Sequence, residues 1–415
     1  MKNGILLLSL LISQLAFSQT THFKFDFGKG KVAKKHVRIT PDMDYTKERG
    51  YGYLMEGNRF FTVDLPEGNY DVKVVVGDEN EPSETTIKVE NRRLMLEKAV
   101  IEKGKLEERT FTVNVRNPQI NANEKVKLKP REVNYLHWDN QLTFEFCGNN
   151  PKIKTLEISP NTHATTVFLA GNSTVVDQAQ EPYSAWGQMI PRFFQSGEVV
   201  FANHAESGES LKSFLSEKRL DKVLSQMKAG DYLFIEFAHN DQKQKDLRPF
   251  VEYKELVKKF ISETKSKGGI PVLVTSMHRR NFDSTGHINN TLGDFPEAMR
   301  QTAQEENVAL IDLNAMSKTL WEALGPVQSK KAFVHYPANS FPNQEKPIAD
   351  DTHFSNYGAY QLAKCIVEGI KKAQLGIAKQ LLPNLPRFDP SQPDALDAWD
   401  FPQSPLANAI KPDGN

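Results

Sequence analysis

The sequence predicts two structural units in series, an all-β sandwich followed by an open α/β sheet. Three observations carry that prediction. Up to about Pro160 apolar and polar residues alternate in short runs with almost no helical periodicity. Beyond Pro160 the runs become continuous stretches of Val, Ile, Leu and Phe separated by helical segments, the pattern of a parallel sheet covered on both faces. At 415 residues the chain also exceeds the length at which one core stops growing, about 250–300 residues.

In the first unit, alternation marks strands at Phe23–Phe27, Phe60–Val63, Tyr70–Val76, Thr85–Val89, Arg109–Val115 and Leu142–Phe146. Pro66-Glu67-Gly68-Asn69 lies between two of them as a turn. Short strands, frequent turns and no internal repeat suit an antiparallel sandwich. In the second unit the buried-strand runs are Val167–Ala170, Glu198–Ala202, Tyr232–Phe237, Ile270–Thr275 and Val308–Leu313. A helix is expected over Val251–Lys267, which follows a proline and stops before Gly268-Gly269. A late helix carries Ala359, Leu362, Ala363, Ile366, Val367 and Ile370 on one face. The expected boundaries are a leader at 1–18, the sandwich at 19–160, the α/β unit at 161–382 and a Pro-rich tail at 383–415, wrapped on the surface or partly disordered.

Composition narrows the functional classes. Lys+Arg and Asp+Glu are 52 each, so the chain lacks the basic footprint of a nucleic-acid binder. At the N-terminus Lys2, the apolar run Ile5–Ala16 and the small-x-small pattern Ala16-Phe17-Ser18 read as a secretory leader cut near Ser18. That run is short of the ~20 residues a membrane span needs, and no later stretch reads as transmembrane. The mature protein is expected to be soluble and secreted or periplasmic. Cys147 and Cys365 read as buried thiols, although an exported protein could pair them. No Cys or His cluster has metal-ligand spacing, so neither a metal nor another cofactor is expected.

Four short segments carry the chemistry, three of them just after expected strands, where ligands of open parallel sheets gather. Ser173 follows Val167-Phe168-Leu169-Ala170-Gly171, where a glycine permits the tight turn that lifts a side chain above the sheet. A serine hydroxyl needs a base to become a nucleophile. Asp350-Asp351-Thr352-His353 supplies one: if the segment turns, residues three apart share a face and Asp350 can orient His353 toward Ser173. Asp351 is two residues from His353 and less well placed. Acyl transfer also needs donors for the developing oxyanion. The candidates are the N–H groups of Ser173 and Gly208 and the side-chain amide of Asn240. Taken singly, each segment also reads as an ordinary turn or helix cap.

Together these residues resemble the SGNH (GDSL-type) hydrolases, whose Ser, Gly, Asn and His are matched by Ser173, Gly208, Asn240 and His353. Within that group the chain is most similar to rhamnogalacturonan acetylesterases, over roughly Thr165 to Gln374. The matching stretches include Phe168–Thr174, Ala185–Met189, Asn203 with Ser207–Ser210, Phe237–Asp241, Arg279–Phe282, Gly293–Arg300 and Asp350–Gly358. The resemblance implies a flavodoxin-like α/β domain and a secreted Ser-His-Asp esterase that removes acetyl groups from rhamnogalacturonan. Two positions depart from the family pattern: Asn172 stands where an Asp is usual, and Ala238 where a Gly is usual. Arg279 and Arg280 are candidates for binding the galacturonate carboxylate, and Trp186 for stacking on a sugar. The first unit resembles the galactose-binding-like modules of carbohydrate enzymes, which leaves glycan binding and a structural role both open.

Two alternatives remain at this stage. One keeps the mechanism and changes the ester, to acetylxylan, acetylated sialic acid or a lipid. The other is a carbohydrate-binding protein with a degenerate hydrolase domain, motivated by Asn172 and Ala238.

Overall fold

The computed structural model describes residues 21–54 and 60–413. The leader assigned to residues 1–18 lies outside them. Ten strands come first among the described residues: β1 (Phe23–Asp26), β2 (Val37–Arg38), β3 (Tyr51–Tyr53), β4 (Phe60–Asp64), β5 (Gly68–Asp78), β6 (Ser83–Val89), β7 (Arg93–Ile101), β8 (Lys105–Val115), β9 (Gln141–Cys147) and β10 (Ile153–Pro160). They form two five-stranded sheets, ordered β2-β1-β10-β5-β8 and β3-β4-β9-β6-β7. Every pairing is antiparallel except the two-residue match of β1 with β2. Alternation fixes which face is buried. Along β5, Tyr70, Val72, Val74 and Val76 point inward and meet Phe61, Ile87 and Phe144 of the other sheet in one core.

Strands β11 (Thr165–Ala170), β12 (Val199–Asn203), β13 (Tyr232–Ile235), β14 (Ile270–Val274) and β15 (Ala309–Ile311) then build an all-parallel sheet in the order β12-β11-β13-β14-β15. This is the flavodoxin-like order, 2-1-3-4-5. Almost every residue of β11 to β14 is buried, as a sheet covered on both faces requires. Helices α1 (Trp186–Met189), α2 (Leu211–Ser216), α3 (Arg219–Gln226), α4 (Lys254–Ser266), α5 (Phe295–Glu305), α6 (Leu313–Gln328) and α7 (Asn356–Lys372) complete the layers. Two apolar clusters flank the sheet. One gathers α2 to α5, and the other gathers α1, α6 and α7. In α7 the stripe Ala359, Leu362, Ala363, Ile366 and Ile370 is fully buried, each of the larger side chains contributing about 1.5–3 kcal/mol. Ser355 caps this helix, its Oγ accepting from Gly358 N. Among the described residues no helix is long and apolar enough to cross a membrane.

A hairpin, β16 (Phe333–Tyr336) with β17 (Ile348–Phe354), was not anticipated from the sequence. The segment after Leu382 crosses the molecule in extended form. Ser404 Oγ donates to buried Glu145 at 3.0 Å, and Ser404 N donates to Glu181 at 3.1 Å. Cys147 and Cys365 are both free and buried, and burial pushes the Cys147 thiol up to about 12.

Candidate active site

The first three segments of the sequence motif emerge from the carboxyl ends of adjacent strands, with β11 flanked by β12 and β13. This is the point where the strand order reverses, the usual ligand position in such sheets. The turn after β11 is tight: an added Cβ at Gly171 would lie 2.5 Å from Val175 Cγ2 and 3.1 Å from the Glu236 carbonyl oxygen. Asn172 holds the turn through its Oδ1, which accepts from Thr174 N at 3.1 Å and Thr174 Oγ1 at 2.9 Å. These are acceptor roles that an Asp would also fill. The price of Asn is that its buried Nδ2 has no partner. Neither Asn172 nor Ala238 is among the residues with positive φ, so both departures fit the backbone without strain.

Ser173 is 3% exposed, His353 1% and Asp350 2%. The three form a linear chain. Ser173 Oγ lies 3.0 Å from His353 Nε2, and His353 Nδ1 lies 2.8 Å from Asp350 Oδ2. Burial alone would raise the Asp350 carboxyl, but hydrogen bonding and charge attraction from His353, with bonds from the His353 and Thr352 N–H groups, bring it down to about 2. A carboxylate can only accept, so His353 Nδ1 carries a proton and Nε2 is left to accept from Ser173.

The segment that brings Asp350 to His353 is a strand rather than a plain turn. Phe333 pairs with Phe354 while Val334 pairs with Asp350, so residues 351–353 bulge out of the hairpin. Asp350 Oδ1 closes that bulge by accepting from Thr352 N at 2.8 Å and His353 N at 3.0 Å. Asp351 points elsewhere, pairing with Arg280 at 2.8 Å and His335 at 2.7 Å. The Tyr183 ring and the His353 imidazole pack perpendicular to each other, at 90° and 5.8 Å between centroids.

Gly208 sits at φ +83°, where a side chain would be strained. Its loop is tied to the serine loop, since Glu206 N donates to Gly171 O at 3.2 Å. Asn240 Nδ2 donates to Glu209 O at 2.9 Å, which orients the amide beside the Gly208 loop. Next to it, buried Asp241 accepts from Leu211 N at 2.9 Å, and burial pushes its carboxyl up to about 7. A cleft of about 500 Å³ opens beside these loops, lined by Arg131, Tyr135, Gln178, Tyr183, Ser207 and Lys411 among others.

Two of the substrate-contact expectations need correction. Trp186 is 0% exposed and donates through Nε1 to Glu236 at 2.7 Å, so it is core and cannot stack on a sugar. Arg280 is engaged with Asp351, Ser329 Oγ and the Pro326 carbonyl, so its guanidinium holds the β17 bulge rather than facing the cleft. Arg279 is half-buried, donates to Thr291 Oγ1 at 3.2 Å and lies near enough to Asp350 to feel its charge.

Sequence reasoning missed the contribution of the first unit. The β6–β7 turn and the first residue of β7 insert two arginines into the α/β unit, Arg92 pairing with Glu181 at 2.6 Å and Arg93 with Asp177 at 2.9 Å, all four side chains buried. These acids flank Gln178 and Tyr183, and Gln178 Nε2 donates to the Ser173 carbonyl at 2.8 Å. Lys129 and Arg131 reach the Gly208 loop directly. The only signal available was their charge, which a surface residue would equally show.

Residues 169–359 match the GDSL-like lipase/acylhydrolase family. The rhamnogalacturonan acetylesterase RhgT of Bacillus subtilis (strain 168) is 43% identical over 218 residues, 52% of this chain and 94% of that protein. The chain belongs to the GDSL-like lipase/acylhydrolase family. A second protein of the same strain, the probable rhamnogalacturonan acetylesterase YesY, is 32% identical over 227 residues, 53% of this chain and 98% of its own. The uncharacterized esterase YxiM of that strain is 25% identical over 383 residues, 84% of this chain and 91% of its own, so the similarity extends into the first unit. As a GDSL-like acylhydrolase the chain is a carboxylic ester hydrolase.

Proposed function

We propose that this protein is a secreted carbohydrate O-acetylesterase that removes acetyl groups from rhamnogalacturonan by a Ser-His-Asp acyl-enzyme mechanism. The observation that carries the mechanism is the unbroken chain from Ser173 Oγ through His353 to Asp350, at 3.0 and 2.8 Å. His353 takes the proton of Ser173 as the serine oxygen attacks the acetyl carbonyl. The Ser173 and Gly208 N–H groups and the Asn240 amide stabilise the oxyanion, an effect for which one donor is typically worth about 3 kcal/mol. His353 then gives its proton to the sugar oxygen as that oxygen leaves as a hydroxyl, and it next activates a water that attacks the acyl-enzyme, releasing acetate and regenerating Ser173.

The substrate class rests on the two relatives named as rhamnogalacturonan acetylesterases, 43% and 32% identical across nearly their whole lengths. Export rests on Lys2, the apolar run Ile5–Ala16 and Ala16-Phe17-Ser18. The two packed antiparallel sheets support reading the first unit as galactose-binding-like, with a role in shaping the cleft. The test is acetate release from acetylated rhamnogalacturonan, acetylxylan and p-nitrophenyl acetate, with Ser173→Ala alongside. Release from the pectic polymer, lost in the variant, is expected. Preference for acetylxylan would overturn the substrate, and full activity of Ser173→Ala would overturn the mechanism.

A further inference from the structure

We propose that Lys129 and Arg131, contributed by the first unit, are positioning residues for the oxyanion hole, acting through the peptide that joins Ser207 to Gly208. The inference rests on the reading of Gly208 N–H as an oxyanion donor given above. Lys129 Nζ donates to the Ser207 carbonyl at 2.7 Å, and Arg131 Nη2 donates to the same oxygen at 2.7 Å. The Ser207–Gly208 bond is not among the cis peptides, so its C=O and N–H point in opposite directions in one plane. Two cations therefore hold one end of the peptide dipole whose other end is the Gly208 N–H.

Two consequences follow from this geometry. The first is orientation. Gly208 has no side chain to restrain the plane and sits at φ +83°, so the peptide is intrinsically free to rotate. Turning the N–H away from the oxyanion would break both charge-assisted bonds to Ser207 O at once. The second is polarisation. Positive charge on the carbonyl oxygen draws electron density along the amide and leaves the N–H a stronger donor, as in any hydrogen-bonded chain of peptides.

Both cations are themselves held in place. Lys129 Nζ pairs with the buried Glu209 carboxylate. Arg131 Nε and Nη2 reach Glu206 Oε1 at 3.2 and 2.8 Å, while its Nη1 pairs with Asp413. Lys129 N donates to Glu132 at 2.8 Å, and buried Glu132 forms a bidentate pair with Arg219 of α3. The short turn that carries Lys129 and Arg131 is thus locked to the α/β unit rather than draped over it. Plain adhesion between the two units would not require both cations to converge on one carbonyl beside the reacting serine.

The test compares Lys129→Met, Arg131→Met and the double variant with wild type on p-nitrophenyl acetate, with thermal unfolding as a check on folding. Each single change is expected to lower kcat about tenfold and the double about a hundredfold, a graded part of the 10²–10³ that loss of a whole donor costs, with KM within about twofold because the ground-state ester barely uses the hole. Inhibition by phenylboronic acid, whose Ser173 adduct places an anionic oxygen in the hole, should weaken by the same factors. Lys129→Arg and Arg131→Lys keep a cationic donor and should recover most of kcat, and they serve if a methionine variant fails to fold. A mere interdomain contact would lower the melting temperature and leave kcat and boronate affinity unchanged, and that result overturns the proposal while wild type stays active. A wild type inactive on the ester, and indifferent to Ser173→Ala, sinks the functional reading and this one together.

Discussion

Replacing Asp350 with Asn removes the charge that faces His353 while keeping the shape of the bulge. Asp350 Oδ1 accepts from Thr352 N and His353 N, and an amide oxygen can continue to do so. What changes is Oδ2, 2.8 Å from His353 Nδ1. When Ser173 gives up its proton, His353 becomes an imidazolium at that distance from the carboxylate. At an effective dielectric of about 20, a unit charge pair so spaced attracts by about 6 kcal/mol. The carboxyl is held down to about 2, so the charge is fully present at neutral pH. Losing about 6 kcal/mol in the transition state corresponds to roughly four decades of rate. An amide also offers Nδ1 a donor where it needs an acceptor, which favours the wrong tautomer. Asp350→Asn is therefore expected to lower kcat on p-nitrophenyl acetate about 10⁴-fold at pH 7.5, with KM nearly unchanged. Asp351→Asn is the internal control. Its carboxylate is half exposed and bound to Arg280 and His335, so kcat should stay within about twofold of wild type. A loss under tenfold in Asp350→Asn, or an equal loss in Asp351→Asn, would refute this account of the triad.

Two further expectations follow from the Glu236–Trp186 pair beneath the serine turn. Burial pushes the Glu236 carboxyl from 4.5 up to about 7, so folding favours its neutral form. Its stabilising effect is whole below pH 4.5 and fades as pH rises through about 7, a swing of about 3 kcal/mol. Chemical denaturation between pH 4.5 and 8 should record that decline in wild type and a flatter profile in Glu236→Gln, and equal slopes would count against it. Trp186→Phe should lower stability by about 1–3 kcal/mol through the lost Nε1 bond to Glu236, with KM for polymer unchanged. A raised KM at unchanged melting temperature would restore a substrate role for the indole.

Much of the site was legible because its residues sit at places where chain pattern and chemistry coincide. Ser173, Gly208 and Asn240 each follow a short run of buried-strand residues, so the strand ends could be counted and the loops assigned to one edge. Asp350 and His353 were legible as a pair because they stand three positions apart. The form of that segment was not, since the bulge depends on Phe333 and Val334, residues that pair with it across a hairpin loop. Trp186 and Arg280 were misassigned for a related reason. An indole or a guanidinium near a strand end is ambiguous until its partner is known, and the partners lie 50 and 71 residues away. The tail gave no periodic signal because it packs as an extended strand of contacts, with Phe401 buried and Ser404 bonded to Glu145 and Glu181 more than 200 residues earlier.

These distant contacts explain why the first unit and the α/β unit act as one body around the serine. The pairs Arg92–Glu181 and Arg93–Asp177 are buried on both sides. Buried pairs return little net stability because desolvation offsets their attraction, yet losing one partner leaves an uncompensated charge and costs about 3–5 kcal/mol. Such pairs specify position more than they add strength. What they position is the stretch 177–183, which carries Gln178 against the Ser173 carbonyl and Tyr183 against the His353 ring. From the other side Lys129 and Arg131 fix the Ser207 carbonyl, and the tail adds Lys411, 3.8 Å from Asp350 Oδ2. RhgT matches only 52% of this chain yet is itself covered over 94% of its length. In this protein part of the loop support of the α/β unit comes from residues outside it. Cutting near Pro160 would strip Asp177, Glu181 and the Ser207 carbonyl of their cations in one step, so a shared sequence match does not make the α/β unit self-sufficient here.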